Sequence, residues 1–227
     1  MPRLLLRIAT LVAVATCALL LACGGSDEET ATPAPEPASP AEAAGCEQVP
    51  PPAAQPPAEL PKPTERLRRD DTYVATVATS CGDFEVTLDA RRAPRTGGSF
   101  KSLADEGFYE GLTFHRIVAG FVIQGGDPAG DGGGGPGYSV VEAPPAGLAY
   151  TKGVVAMAKT QAETPGTSGS QFFVVTAEDA QLPPDYALLG EVTGGQDVVD
   201  RIGVLPTTAD EQPAEPVVIR SVEVVAG

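Results

Sequence analysis

The sequence has no tryptophan, a single histidine, four cysteines and only half as many basic residues (15 Lys and Arg) as acidic ones (30 Asp and Glu), giving a formal charge of -15 over 227 residues. One histidine and four cysteines leave little for a zinc cluster or a haem motif, so no such metal site is expected. The scarcity of Lys and Arg argues against a nucleic-acid surface, which needs clustered cations to release counterions from phosphates. No segment repeats over roughly 20 to 50 residues, which sets aside solenoids and propellers. The length suits one domain of roughly 100 to 200 residues plus extra segments, and an apolar content of 42% is enough for a core unless it is concentrated in one place.

Some of it is concentrated. Arg3 and Arg7 precede a mostly aliphatic run from Ile8 to Ala22, too short and too one-sided for a membrane span, so residues 1–22 read as a signal peptide. The run ends Leu20-Leu21-Ala22-Cys23, followed by two glycines. That ending resembles the bacterial lipobox, in which cleavage before the cysteine leaves a thiol that takes a diacylglyceryl group, and it implies lipidation at Cys23 and an extracytoplasmic protein anchored to the cell membrane. Residues 23–71 then turn to Pro, Ala and Glu, a composition that buries little apolar surface and favours extended, polyproline-like states. They read as a tether. Their prolines lack a repeated PxxP frame with basic partners, which disfavours a proline-rich ligand.

The folded domain is expected over residues 72–227. Short apolar runs with period-two character occur at Tyr73–Ala78, Phe84–Leu88, Thr113–Val118, Phe121–Gln124, Val154–Ala158, Phe172–Thr176, Ala187–Val192 and Val217–Val225, separated by Gly and Pro. They predict an all-β sandwich or barrel. Helices are predicted after Pro94 through Asp105 and from Gln196 to Ile202. Gly97 and Gly98 each cost the first helix about 1 kcal/mol relative to Ala, so Phe100 and Leu103 must hold it by packing.

Two stretches carry the chemistry: FHRIVAGFVIQGGD over residues 114–127, and TSGSQFF over 167–173 preceded by GVVAMAK. Strand alternation puts Phe114, Arg116 and Val118 on one face, Val122 with Gln124, and Gln171 with Phe173. Converging faces would make an apolar pocket with one guanidinium and two amides at its rim. No nucleophile–base pair accompanies it: His115 points away from Arg116 in a regular strand and reads as a hydrogen-bonded structural side chain. The glycine-rich run from Gly130 to Gly137 lacks the GK[ST] of a phosphate loop and reads as a flexible wall beside the pocket.

FHRIVAGFVIQGGD, then GDGGGGPGY, then MAK and SGSQFFVVT resemble the cyclophilin family of peptidyl-prolyl cis-trans isomerases over essentially all of residues 72–227. The resemblance implies a mainly β fold, a closed eight-stranded antiparallel barrel capped by two helices, and isomerase activity on X-Pro bonds without a cofactor. Carried over position by position, it makes Arg116 the catalytic arginine, Phe121, Val122, Phe173 and Leu182 the walls of a proline pocket, and Gln124 and Gln171 its polar rim. Ala158, Lys159 and Thr160 match the segment whose backbone pairs with substrate, and Tyr186 matches a position held by His or Tyr. This chain departs from the family at Val122, usually Met, at Lys159, usually Asn and here expected to bring a charge near the substrate, and at Gln181, where many members have Trp.

Cys17 falls in the signal peptide and Cys23 takes the lipid. The two remaining cysteines of an exported protein, Cys46 and Cys81, are expected to pair. The expected partners are Pro-containing polypeptide segments and the membrane, not nucleic acid, and the expected state is a monomer. The expected function is isomerisation in exported or cell-envelope proteins. A proline-binding module or holdase without turnover is the alternative, and it would have no need of Arg116.

Overall fold

The computed structural model describes residues 38–56 and 58–227. The signal peptide, Cys17, Cys23 and the first part of the tether lie outside the described residues. In chain order the elements are α1 (Pro40–Ala43), β1 (Tyr73–Thr79), β2 (Gly82–Leu88), α2 (Pro94–Asp105), β3 (Arg116–Val118), β4 (Val122–Gly125), β5 (Val140–Val141), β6 (Val154–Met157), β7 (Thr167–Ser168), β8 (Phe172–Val175), β9 (Leu188–Gly194), α3 (Gln196–Ile202) and β10 (Ile219–Ala226).

Eight strands form one sheet in the order β10-β1-β2-β9-β6-β8-β4-β3, every neighbouring pair antiparallel, while β5 and β7 make a separate ribbon. The sheet curls around one core, but the pairing does not show the expected closed barrel: β10 and β3 are its two edges and share no ladder. Backbone bonds from the segment before β3 span the gap. Gly111 N–H donates to Ile219 O (2.8 Å), Ile219 N–H to Leu112 O (2.8 Å) and Phe114 N–H to Val217 O (2.9 Å). Thr113 bridges both Asp127 and Val218, and β3 starts only at Arg116, three residues later than the apolar run suggests.

Alternation decides which side chains enter the core. β1 buries every second residue, as a strand with one covered face should. The central strands β6 and β8 are buried throughout. Their alternate residues feed two clusters: Val155, Met157, Phe172 and Val174 join the inner core, and Val154, Ala156, Phe173 and Val175 join a smaller cluster on the opposite face. Inside, the Phe172 ring meets Phe100, Tyr109 and Phe114 edge-on at centroid distances of 5.8, 5.9 and 5.8 Å.

The second half of the expected tether differs from its composition. Ala41, Cys46 and Leu67 are buried, and a disulfide joins Cys46 to Cys81 in the turn between β1 and β2. Gln55 N–H donates to Pro128 O, Leu60 N–H to Pro136 O and Leu67 N–H to Pro94 O, so residues 38–56 and 58–71 form a strap over the domain. The strap also explains Gly97 and Gly98 in α2. A β-carbon at Gly97 would lie 2.4 Å from Leu67 Cδ1, and one at Gly98 would lie 2.6 Å from Glu65 O. The helix gives up propensity so that the strap can cross it closely. Pro94 occupies its first turn, and the Glu142 carboxylate accepts from the N–H groups of Arg95 (2.9 Å) and Thr96 (2.8 Å), a cap supplied from across the fold.

Candidate active site

Strand register assembles the site on the outer face. Arg116 stands opposite Gln124, Gln124 opposite Phe173, Phe173 opposite Ala156 and Ala156 opposite Leu188, one row across five strands. A one-residue slip would turn this row into the core, and the packed inner face prevents that slip. Val122 and Phe173 are buried in the outer cluster, and Phe121, Ala158, Leu182 and Tyr186 pack against it half-buried. The apolar residues expected to grip a proline ring thus gather on one surface, with the Arg116 guanidinium at the end of the row. Phe114 is not among them. It lies fully buried in the inner core, because the regular strand begins after it at Arg116.

The two amides at the rim are coupled. Gln124 Nε2 donates to Gln171 Oε1 (3.0 Å), and Gln171 Nε2 donates to Gly132 O and Gly134 O (both 2.9 Å). Gln171 therefore ties the glycine-rich run to the sheet. The run is also held from below, where the buried Asp127 carboxylate accepts from the N–H groups of Ala129, Asp131 and Gly132. It is a braced wall, in contrast to the flexible one that glycine content suggests.

Arg116 is oriented by a residue that no motif marks. Its Nε donates to Glu211 Oε2 at 2.6 Å, with both side chains partly exposed. Gln124, which stands opposite Arg116 in the ladder, gives its side-chain hydrogen bond to Gln171 instead.

The segment expected to pair with substrate is partly committed to the fold. Ala158 N–H donates to Gln171 O (2.9 Å), and Thr160 N–H and Oγ1 both donate to Glu163 Oε2. Lys159 was expected to bring a charge to the substrate, yet its side chain is 4% exposed. Its ammonium pairs with Asp185 at 3.0 Å, donates to the carbonyls of Thr160 and Glu163, and lies 5.5 Å from the centre of the Tyr186 ring. The cation thus clamps the 160–168 loop against Tyr186. Tyr186 meets Phe173 edge-on at 5.4 Å, and the Tyr150 hydroxyl donates to Tyr186 O (2.6 Å) while accepting from Tyr186 N–H (3.0 Å). Burial pushes the Tyr150 phenol up to about 12, which keeps it a donor. Tyr150, Asp185 and Glu211 are the site residues that sequence reasoning missed.

His115 lines a cleft of about 220 Å³ with Pro51, Pro52, Thr113 and Asp127. Both ring nitrogens are buried without a hydrogen-bond partner among the described residues, where a hydrogen-bonded side chain was expected. Desolvation lowers its pKa, against the upward pull of Asp127, so the imidazole is neutral at pH 7. Among the described residues no group of three or more His, Cys, Asp or Glu is placed to hold a metal ion.

Residues 74–224 match the family described as cyclophilin type peptidyl-prolyl cis-trans isomerase/CLD. The chain is 39% identical over 168 residues to a probable peptidyl-prolyl cis-trans isomerase A of Mycobacterium leprae, covering 66% of this chain and 91% of the relative. It is 40% identical over 169 residues to peptidyl-prolyl cis-trans isomerase B of Streptomyces anulatus, covering 66% and 95%. The structure is similar to a crystal structure of a cyclophilin type peptidyl-prolyl cis-trans isomerase of Cryptosporidium parvum, with TM-score 0.64, 28% identity and coverage of 69% of this chain and 99% of that one. It also resembles a structure of that protein obtained in the presence of the dipeptide Ala-Pro, at TM-score 0.63 and 28% identity over 68% and 99% of the two chains.

Proposed function

The chain belongs to the cyclophilin-type peptidyl-prolyl cis-trans isomerase family, and from that premise we propose that it accelerates X-Pro rotation in exported or cell-envelope proteins, with Arg116 stabilising the twisted amide. Amide resonance sets the barrier at about 18 to 20 kcal/mol, and twisting the bond returns a lone pair to the prolyl nitrogen. A guanidinium that donates to that nitrogen binds the twisted state better than the planar one, so the reaction is accelerated with no covalent step. Phe121, Val122, Phe173 and Leu182 grip the proline ring, and the acyl side rotates against it. Arg suits the task because it stays charged and presents several donors in a fixed fork.

The observation that carries this reading is the single row of Arg116, Gln124 and Phe173 on the outer face. The Arg116→Ala protein is expected to lose roughly 10²- to 10³-fold in turnover of a short X-Pro peptide, followed by exchange NMR, with a native circular dichroism spectrum. Undiminished exchange in a folded variant overturns the arginine mechanism.

The compartment is part of the same proposal. The protein acts as a monomer outside the cytoplasm, held to the membrane by a diacylglyceryl group on Cys23, and the Cys46–Cys81 disulfide supports an oxidising environment. Intact-mass spectrometry of membrane-extracted protein should give a mature chain beginning at an acylated Cys23, with two thiols open to alkylation only after reduction. A soluble mature form without acyl mass overturns the anchor.

A further inference from the structure

Glu211 has a backbone that its type seldom adopts. Among the described residues only Gln181 and Glu211 are non-glycine residues with positive φ, and Glu211 sits at +63°. The turn around it is tightly built. Thr207 bridges Pro213, Thr208 N–H donates to Gln212 O (2.8 Å), and Glu211 N–H donates back to Thr208 O (3.1 Å).

The outcome of this strained turn is two contacts from one residue to consecutive residues of β3. Glu211 O accepts from Ile117 N–H at 2.8 Å, and Glu211 Oε2 accepts from Arg116 Nε at 2.6 Å. β3 is an edge strand whose ladder partner is β4, so the turn covers its free edge. A glycine at 211 could make the backbone bond to Ile117 without strain, so what the glutamate side chain adds is the ion pair, and one exposed by 35% on the arginine and 45% on the glutamate returns less stability than a left-handed non-glycine residue costs. Stability therefore does not account for the arrangement, whereas fixing the guanidinium does.

We propose that Glu211 is a positioning residue for the isomerase reaction: it grips Arg116 through Nε, restricts the side chain to one orientation, and leaves the two terminal amino groups of the fork for the prolyl amide. The proposal rests on Arg116 as the residue that meets the amide. A fixed donor acts on the transition state more than on the bound substrate, so its loss appears in kcat.

Exchange NMR on a short X-Pro peptide tests this with the full-length protein and the variants Glu211→Ala, Glu211→Gln, Glu211→Gly, Arg116→Ala and the Arg116→Ala/Glu211→Ala pair. Glu211→Ala is expected to lower kcat about tenfold with KM nearly unchanged, and Glu211→Gln, which keeps an oxygen acceptor for Nε, to lower it less. Glu211→Gly relieves the left-handed backbone and should melt no lower than the parent, yet turn over as slowly as Glu211→Ala. In the Arg116→Ala background, removing Glu211 should add no further loss. Full activity in Glu211→Ala and Glu211→Gly beside an inactive Arg116→Ala overturns the positioning role and leaves the arginine mechanism standing. A rise in kcat also overturns it, by showing that the carboxylate competes for the guanidinium. An Arg116→Ala protein with undiminished turnover overturns the arginine reading and the proposal with it.

Discussion

The two faces of β8 use adjacent residues of one strand for different ends. Phe172, 1% exposed, lies in a cage of Phe100, Tyr109 and Phe114, each a fully or almost fully buried inner-core residue. Phe173 is nearly as buried at 4%, but of the two rings beside it Tyr150 is buried and Tyr186 only half-buried, the half-buried Phe121 and Leu182 pack against the same cluster, and Gln124 stands beside it in the ladder. The same alternation thus makes a sealed interior on one side and a shallow apolar floor with polar edges on the other. The inner face carries stability, and the outer face leaves its apolar burial unfinished.

Paired substitutions test that division. Phe172→Ala leaves a cavity with no route to solvent and should cost about 3–5 kcal/mol in denaturant unfolding, while the folded fraction keeps its isomerase activity. Phe173→Ala opens a void that half-buried neighbours can partly fill, so its stability cost should be nearer 2–3 kcal/mol, and KM for an X-Pro peptide should rise about tenfold. Equal stability losses and equal kinetics for the two variants would erase the distinction between the faces.

His115 gives a smaller effect at the border between them, one residue before Arg116. Its folded pKa lies below the ordinary value of 6.5, chiefly through burial, so as pH falls the unfolded chain takes up this proton first. The associated stability is present above about pH 6.5 and drains away down to the folded pKa, with a slope no steeper than about 1.4 kcal/mol per pH unit. Urea midpoints of the parent and of His115→Gln, measured from pH 7.5 to 5, should converge as pH falls if the imidazole is the source. Parallel curves would mean that it is not, and isomerase activity of His115→Gln at pH 7.5 should remain within about twofold of the parent.

Much of the outer face is legible in the residues. Each of the eight apolar runs holds a sheet strand, and the helices at Pro94–Asp105 and Gln196–Ile202 stand where the breakers and apolar spacing put them. β5 and β7 escaped because two residues cannot display an alternation. The strap escaped because composition reports what a segment can bury by itself, whereas Leu67 is received by Gly97, 30 residues further on, and the backbone of Glu65 and Arg66 by Gly98. Those glycines were visible as a cost, and their use became clear only when the crossing chain was in place. Glu211 left no signal at all: the contact spans 95 positions in sequence, and the feature that marks it is a backbone angle.

The Cys46–Cys81 bond closes a covalent ring around everything between those positions, and this sets how the domain bears a load. A pull on the chain upstream of residue 38 loads the strap only as far as Cys46. Tension reaches Cys46, crosses the sulfur bridge and enters the domain at the β1–β2 turn, bypassing residues 47–80. The strap's hydrogen bonds to Pro94, Pro128 and Pro136 are mechanically shielded, so drag on the N-terminal side leaves the wall beside Gln171 undisturbed. Reduction would convert the same segment into a peelable lead, and the force would then run through those contacts one after another.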